Sequence, residues 1–424
     1  MRHNFFPAIA FSALAAIITP SCSEDKSYEI KPDEEPTRKK TILLYAVASN
    51  NLYSNLINDK HEMQLAAQNI DLNHYSMLVY EVVPNSQEYG DTPRLLELTR
   101  NSAGEPEFVE LKQYDRSIYS TDPERISQVI EDMQTLREAD SYGLILWSHA
   151  LGWSPFFSER DTRAELPSVT TSAAGGDLSY SLEYGGGLPM NYSFGSDTNS
   201  QTGYTDKIDI DELAGAIPDH LFEFIWFDAC MMSGIETIYE MRDKCDYFGG
   251  YPTEVFAPGM PYDLTLPYLL REKADLKGCA IEFFNYYAQN KYAQLRTATV
   301  AVIDMSELEP MADFCKRRYA GSKDAATYGL DYYSGNQRVA YKYYDFGQYT
   351  LARGSENEDD ASEEEFRRLL DKLVVYRNAT ETEFTGKKLN LDEYSGISSH
   401  AYSDSQTGKA ADYYRSLDWF KRVY

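Results

Sequence analysis

Positive charge, cysteine and histidine are all scarce in this chain of 424 residues. Lys plus Arg number 40 against 67 Asp plus Glu, a formal net charge of −27. No basic run is longer than Arg38-Lys39-Lys40, and phosphate binding needs clustered cations, so a nucleic-acid partner is excluded. The five cysteines include no C-x-x-C pair, which excludes a short-spaced zinc cluster and a scaffold built on disulfides. The apolar stretch Phe5–Thr19 is too short to span a membrane. What is present excludes disorder: 43% hydrophobic and 14% aromatic residues supply a large core. Length alone suggests about two to three domains. Tyrosine is abundant, at 35; such residues serve exposed faces that bind peptides or glycans, or rings wet on one side.

Residues 1–22 read as an address rather than as part of the fold. Arg2 and His3 precede the apolar stretch, which has the length of a signal-peptide core. Thr19-Pro20-Ser21-Cys22 resembles a bacterial lipoprotein processing site, which implies lipidation of Cys22. Ser23-Glu24-Asp25 resembles the acidic tag that sends lipoproteins of the Bacteroidota to the cell surface. Together these imply a chain anchored by its lipid to the bacterial outer membrane. Residues 23–40, polar and holding Pro32 and Pro36, read as a flexible tether.

Beyond the tether, near-continuous apolar runs alternate with helical patterns. Thr41–Ala48, Tyr75–Val83, Tyr142–Ser148 and Phe222–Ala229 read as strands covered on both faces, with Tyr247–Tyr251 and Thr299–Asp304 as weaker ones. Asn55–Asn69, Glu124–Glu138, Asp206–Ile217 and Gly234–Arg242 read as helices, the second capped by Thr121 or Asp122 with Pro123 in its first turn. The alternation predicts an α/β fold, three layers around a mostly parallel sheet. Residues 41–265 form the expected catalytic domain, interrupted by a long Ser/Gly-rich loop at 154–205. Residues 266–424, more helical, complete or flank it.

Two predicted strands end in reactive residues. Leu144–Trp147 leads to Ser148-His149, and Phe224–Phe227 leads to Asp228-Ala229-Cys230. Sites in open α/β sheets form outside the carboxyl ends of strands, so neighbouring strands would bring imidazole and thiol together. An imidazole can take a thiol's proton, and the thiolate is the nucleophile. Backbone amides in the turns of Gly152 and Cys230 would form an oxyanion hole. No G-x-S-x-G follows a strand, which argues against a serine hydrolase.

Trp147-Ser148-His149-x-x-Gly152-Trp153 resembles the W-N-H-G-x-G-W segment of clostripain-family cysteine peptidases, and Phe227-Asp228-Ala229-Cys230-Met231-Met232-Ser233 resembles their F-D-A-C-L-M-G segment. Similarity continues through Pro258–Tyr262, Tyr344–Gly347, Tyr394–Ser398 and Leu417–Trp419. The resemblance implies a caspase-like fold, a peptide or protein substrate, and a dyad with His149 as base and Cys230 as nucleophile. It implies cleavage after Arg or Lys, with Asp228 as the carboxylate of the S1 pocket, and self-cleavage after Arg160 or Arg163. No cofactor is required by the sequence, while the resemblance allows calcium; no metal ligands are assigned. Ala150 stands where the family usually has Gly. Its amide serves an oxyanion as well as glycine's unless the position needs a positive φ. Glu254-Val255-Phe256-Ala257 replaces a usually more acidic stretch near the cleft. The competing expectation is a non-catalytic surface protein that keeps this frame and binds peptide or glycan through its tyrosines.

Overall fold

A computed structural model describes residues 38–82, 92–155, 194–200, 202–320, 327–333, 343–353 and 362–424. The expected signal segment, Cys22, and both self-cleavage candidates, Arg160 and Arg163, lie outside the described residues. Thirteen strands are described: β1 Arg38–Val47, β2 Tyr75–Val82, β3 Arg94–Arg100, β4 Pro106–Gln113, β5 Ala139–Trp147, β6 Phe194–Thr198, β7 Thr205–Ile208, β8 Phe222–Asp228, β9 Cys245–Gly250, β10 Thr299–Asp304, β11 Tyr343–Asp345, β12 Val374–Ala379 and β13 Ser398–His400. Nine of them make one sheet in the order β12-β10-β9-β8-β5-β1-β2-β3-β4. The contacts β9-β8, β8-β5, β5-β1 and β1-β2 are parallel. Both flanks are antiparallel.

The central strands are buried on both faces, which is why they read as unbroken apolar runs. On one face, Leu43, Tyr45 and Val47 of β1, with Leu144 and Leu146 of β5, pack against Ile126, Val129, Ile130 and Met133 of the helix Pro123–Leu136. On the other, Ile42, Leu44 and Ala46 pack with Leu56 and Met63 of the helix Tyr53–Ala66, and with the helices Tyr262–Leu269 and Leu276–Ala288. This is the expected three-layer α/β arrangement. Asp122 caps its helix, its side chain accepting the Glu124 amide, which settles the choice between Thr121 and Asp122. Among the described residues, no helix is long and apolar enough to cross a membrane.

The structure corrects three boundaries. The tether does not reach residue 40, because Arg38–Lys40 open β1. Lys40 is fully buried there and pairs with Glu223 at 2.5 Å. The end of the 154–205 loop is the antiparallel pair β6–β7, and the helix read from Asp206 starts at Ile210. β3 and the edge strand β4 do not read as unbroken apolar runs because charged residues interrupt them, Arg94, Glu97 and Arg100 in β3 and Glu107, Glu110 and Lys112 in β4. Tyrosine, read as a candidate for binding surfaces, also fills the core: Tyr45, Tyr80, Tyr251, Tyr262, Tyr287, Tyr333, Tyr343 and Tyr349 are fully buried.

β9 lies tight against β8 because Gly249 has no side chain. A Cβ there would sit 2.1 Å from Cε3 of Trp226. Gly249→Ala is therefore expected to cost about 1–3 kcal/mol through overpacking. Urea denaturation checks this, with Gly104→Ala as the control for an open position.

Candidate active site

Register places the reactive residues side by side. Trp147 of β5 pairs with Asp228 of the adjacent, parallel β8. His149 and Cys230 each lie two residues beyond that matched pair, at the same edge of the sheet. The turns that carry them pack backbone to backbone. Gly152 adopts φ +65°, and a Cβ there would lie 3.0 Å from the Met231 carbonyl and 3.2 Å from the Tyr343 ring. Met231, the residue after the cysteine, is itself left-handed at φ +62°, a conformation that costs a non-glycine residue about 1–2 kcal/mol. Its amide donates to the Thr253 carbonyl at 2.9 Å. The Ser233 amide donates to Tyr251 at 3.1 Å, and the Ser398 amide to the Ser233 carbonyl at 2.9 Å. The segment that follows β9 and the strand β13 thus hold the sharp turn that presents Cys230.

Ala150 is not among the residues with positive φ. The left-handed requirement falls on Gly152 instead, so alanine is accommodated at 150 without strain. Of the four described cysteines, Cys245, Cys279 and Cys315 are buried and only Cys230 is part-exposed; all four are free thiols.

The His149 imidazole is half-buried, and its Nε2 lies 2.8 Å from Asn51 Oδ1. Burial, with the neighbouring Lys207 ammonium second, pushes its pKa down to about 4. Cys230 Sγ receives the Val255 amide at 3.4 Å and lies 3.6 Å from the Val255 carbonyl. Burial, then the Glu254 charge, pushes the thiol up to about 12, against the opposing pull of the Val255 amide. The resting pair is therefore neutral thiol and neutral imidazole. The two side chains do not hydrogen-bond each other: one holds Asn51, the other Val255.

Asp228 is buried beneath the site, 4% exposed. It accepts Tyr251 Oη at 3.2 Å, Tyr262 Oη at 3.0 Å and the Met260 amide at 3.1 Å. Gly259, at φ +61°, leaves room for it, since a Cβ there would lie 2.8 Å from the carboxylate. This explains the Pro258–Tyr262 motif as the cradle of Asp228. Burial still pushes its carboxyl up to about 6. Glu254, half-buried beside Cys230, accepts no side-chain hydrogen bond among the described residues.

The family model for the clostripain family matches residues 44–164 and 192–422. The chain belongs to the clostripain family. It is 26% identical over 258 residues to clostripain from Hathewaya histolytica, spanning 55% of this chain and 42% of that protein's length. An inactive zymogen of a C11 protease from Parabacteroides distasonis superposes with a TM-score of 0.71 at 26% identity, covering 92% of this chain and 99% of that one. A secreted C11 cysteine protease from Bacteroides thetaiotaomicron shares the fold, with a TM-score of 0.71 at 24% identity over 92% of this chain and 100% of that one. The matched spans contain both the histidine and the cysteine turns of this family member.

Sequence reading found His149, Cys230 and Asp228 but missed Asn51 and Lys207. A signal for Asn51 was present: Ser49-Asn50-Asn51 follows an apolar strand, as His149 and Cys230 do. Among the described residues, no group of three or more His, Cys, Asp or Glu is placed to hold a metal ion.

Several acids are pushed up chiefly by burial: Asp228 to about 6, Glu62, Glu236, Glu240 and Glu254 to about 7, and Asp59, Glu212 and Asp345 also upward. His149, lowered, opposes them with one proton. Between about pH 4.5 and 7 the folded chain thus holds more protons than the unfolded chain, so stability falls as pH rises through that window. The urea midpoint is expected to be higher at pH 5.5 than at pH 8. A midpoint that climbs over this range would contradict these burial effects.

Proposed function

We propose that this clostripain-family chain is a cysteine endopeptidase that cuts after Arg or Lys through Cys230 and His149. The observation that carries the proposal is the placement of the one part-exposed described thiol and a neutral imidazole at adjacent strand ends. In the proposed reaction the thiol proton passes to the imidazole as sulfur bonds to the peptide carbonyl carbon. The carbonyl electron pair moves onto oxygen, and amides of Ala150, Gly152 and Cys230 receive the oxyanion. Collapse breaks the C–N bond, the amine leaves with the imidazole's proton, and water then hydrolyses the thioester with the same base.

A neutral resting pair is compatible with this role. A thiol held protonated near pH 7 attacks only when substrate and base are both in place, which protects it from adventitious oxidation. The basic side chain of the substrate is drawn by two acids. Asp228 lies at the floor but already holds two tyrosines and an amide, whereas Glu254 beside Cys230 has its lone pairs open to an incoming guanidinium or ammonium. Maturation by a cut after Arg160 or Arg163 is part of this proposal, and the zymogen form of a relative supports it. So is retention at the outer membrane through a lipid on Cys22. A binding-only role for the tyrosines is disfavoured by how many of them the core consumes.

Hydrolysis of fluorogenic peptides with Arg, Lys, Ala, Leu or Asp at P1, with and without calcium, tests the proposal. Cleavage after Arg and Lys is expected, with Cys230→Ala lowering kcat about 10³-fold or more. Glu254→Gln is expected to raise KM for an Arg substrate about tenfold, roughly one charge contact, and to leave slow cleavage after Leu unchanged. Equal turnover by Cys230→Ala would overturn the nucleophile, and an unchanged Arg-to-Leu preference in Glu254→Gln would overturn the pocket assignment.

A further inference from the structure

We propose that Asn51 is the positioning residue of this site: its side-chain oxygen holds His149 in one tautomer, with the opposite ring nitrogen left for the Cys230 proton. The inference rests on the function proposed above and adds a third strand end to it. β1 lies beside β5, and Ala46 pairs with Trp147. Asn51 is five residues beyond Ala46, in the loop that leaves β1 at the same edge as His149 and Cys230. Three adjacent parallel strands, β1, β5 and β8, therefore each send one polar side chain to this edge.

The loop carrying Asn51 is tied down on both sides. The Asn50 amide group donates to the Val47 carbonyl at 2.8 Å and the Ser196 carbonyl at 2.9 Å, and its oxygen accepts the Leu52 amide at 2.8 Å. The Thr198 amide donates to the Ser49 carbonyl at 3.0 Å. Ser148, next to the histidine, donates its hydroxyl to the Val47 carbonyl at 2.8 Å, and the His149 carbonyl accepts the Gly195 amide at 3.0 Å. The two loops thus share partners in β1 and β6, which fixes Asn51 relative to His149 before any substrate arrives. On this frame, a 2.8 Å contact between Asn51 Oδ1 and His149 Nε2 has one consistent polarity. The amide oxygen accepts, so Nε2 carries the proton and Nδ1 keeps its lone pair. Nδ1 takes no hydrogen bond among the described residues.

Charge explains why an amide suits this place. An aspartate would hold the same tautomer but would also stabilise the imidazolium and raise the pKa of the base. The groups that face the imidazole are Lys207 and Asn51, and Lys207 disfavours a second positive charge. A neutral acceptor orients the ring and leaves it a free base in mildly acidic surroundings. In the proposed reaction Asn51 forms and breaks no covalent bond. The Cys230 proton arrives at Nδ1 as the sulfur–carbon bond forms, and Nε2–H stays on Oδ1 throughout.

The test has an arm that needs no turnover. In the full chain carrying Cys230→Ala, ¹⁵N NMR of the imidazoles, with His149 assigned by comparison with His149→Gln, is expected to show the Nε2–H tautomer. A dominant Nδ1–H tautomer would overturn the proposal, even if the enzyme proved inactive and the function above failed. The kinetic arm follows if wild type cleaves peptides. Asn51→Ala is expected to lower kcat about 10- to 100-fold, the range of misplaced general-base catalysis, with KM within twofold. Asn51→Asp is expected to recover much of kcat and to move the acid limb of kcat/KM upward by about one pH unit or more, as a paired carboxylate does. Wild-type kcat and an unshifted acid limb in both variants would overturn the proposal. A role limited to folding would not move the acid limb.

Discussion

Parallel pairing of β1, β5 and β8 through their buried centres sets where Asn51, His149 and Cys230 sit. Each strand is apolar on both faces because helices cover both sides of the sheet, and that burial leaves the register no freedom to slip. A one-residue shift of β8 against β5 would move Phe227 and Trp226 to the wrong layers and take Cys230 away from the histidine turn. The chemistry of the site is therefore a by-product of packing far from it. The turns add local precision: Gly152 and Met231 both take left-handed backbone, and their close approach joins the histidine turn to the cysteine turn.

The electrostatics of the site follow from burial in an acidic protein. With a net charge of −27, the chain gives its thiol little help: Glu254 and Asp228 both disfavour the thiolate, and the Val255 amide only partly offsets them. The imidazole is likewise kept neutral by burial and by Lys207. Under the proposed function, the same acids that suppress the resting thiolate would meet the basic side chain of the substrate. A bound Arg or Lys would neutralise Glu254, lift part of the penalty on the thiolate and so link recognition to activation. That coupling would keep the nucleophile quiet until substrate arrives.

Much of this was legible in the sequence where burial dictated residue type. The central strands show as unbroken apolar runs, and His149 and Cys230 stand out because a polar residue follows such a run. Asn51 obeys the same rule but sits five residues past the pairing, within a run of small polar residues that looks like any loop. β3 and β4 were not legible because charged residues interrupt their apolar ones, as they do in surface segments. The start of β1 was hidden because Lys40 reads as solvent-facing, and only Glu223, 183 positions away in sequence, makes its burial tolerable. The part played by Asp228 was legible in one respect only. Its motif marked it as special, but its two tyrosine partners and the Met260 amide come from the residue after β9 and the Pro258–Tyr262 segment, which no local pattern connects to it.

The most direct test of the central claim is covalent capture. The full chain would be treated with a peptidyl arginyl chloromethyl ketone at neutral pH and the modified residue located by tandem mass spectrometry. The proposed function predicts that the label sits on Cys230 and that free arginine ester slows its addition. A label on Cys245, Cys279 or Cys315, or none on Cys230 in chain that cleaves Arg peptides, would contradict it.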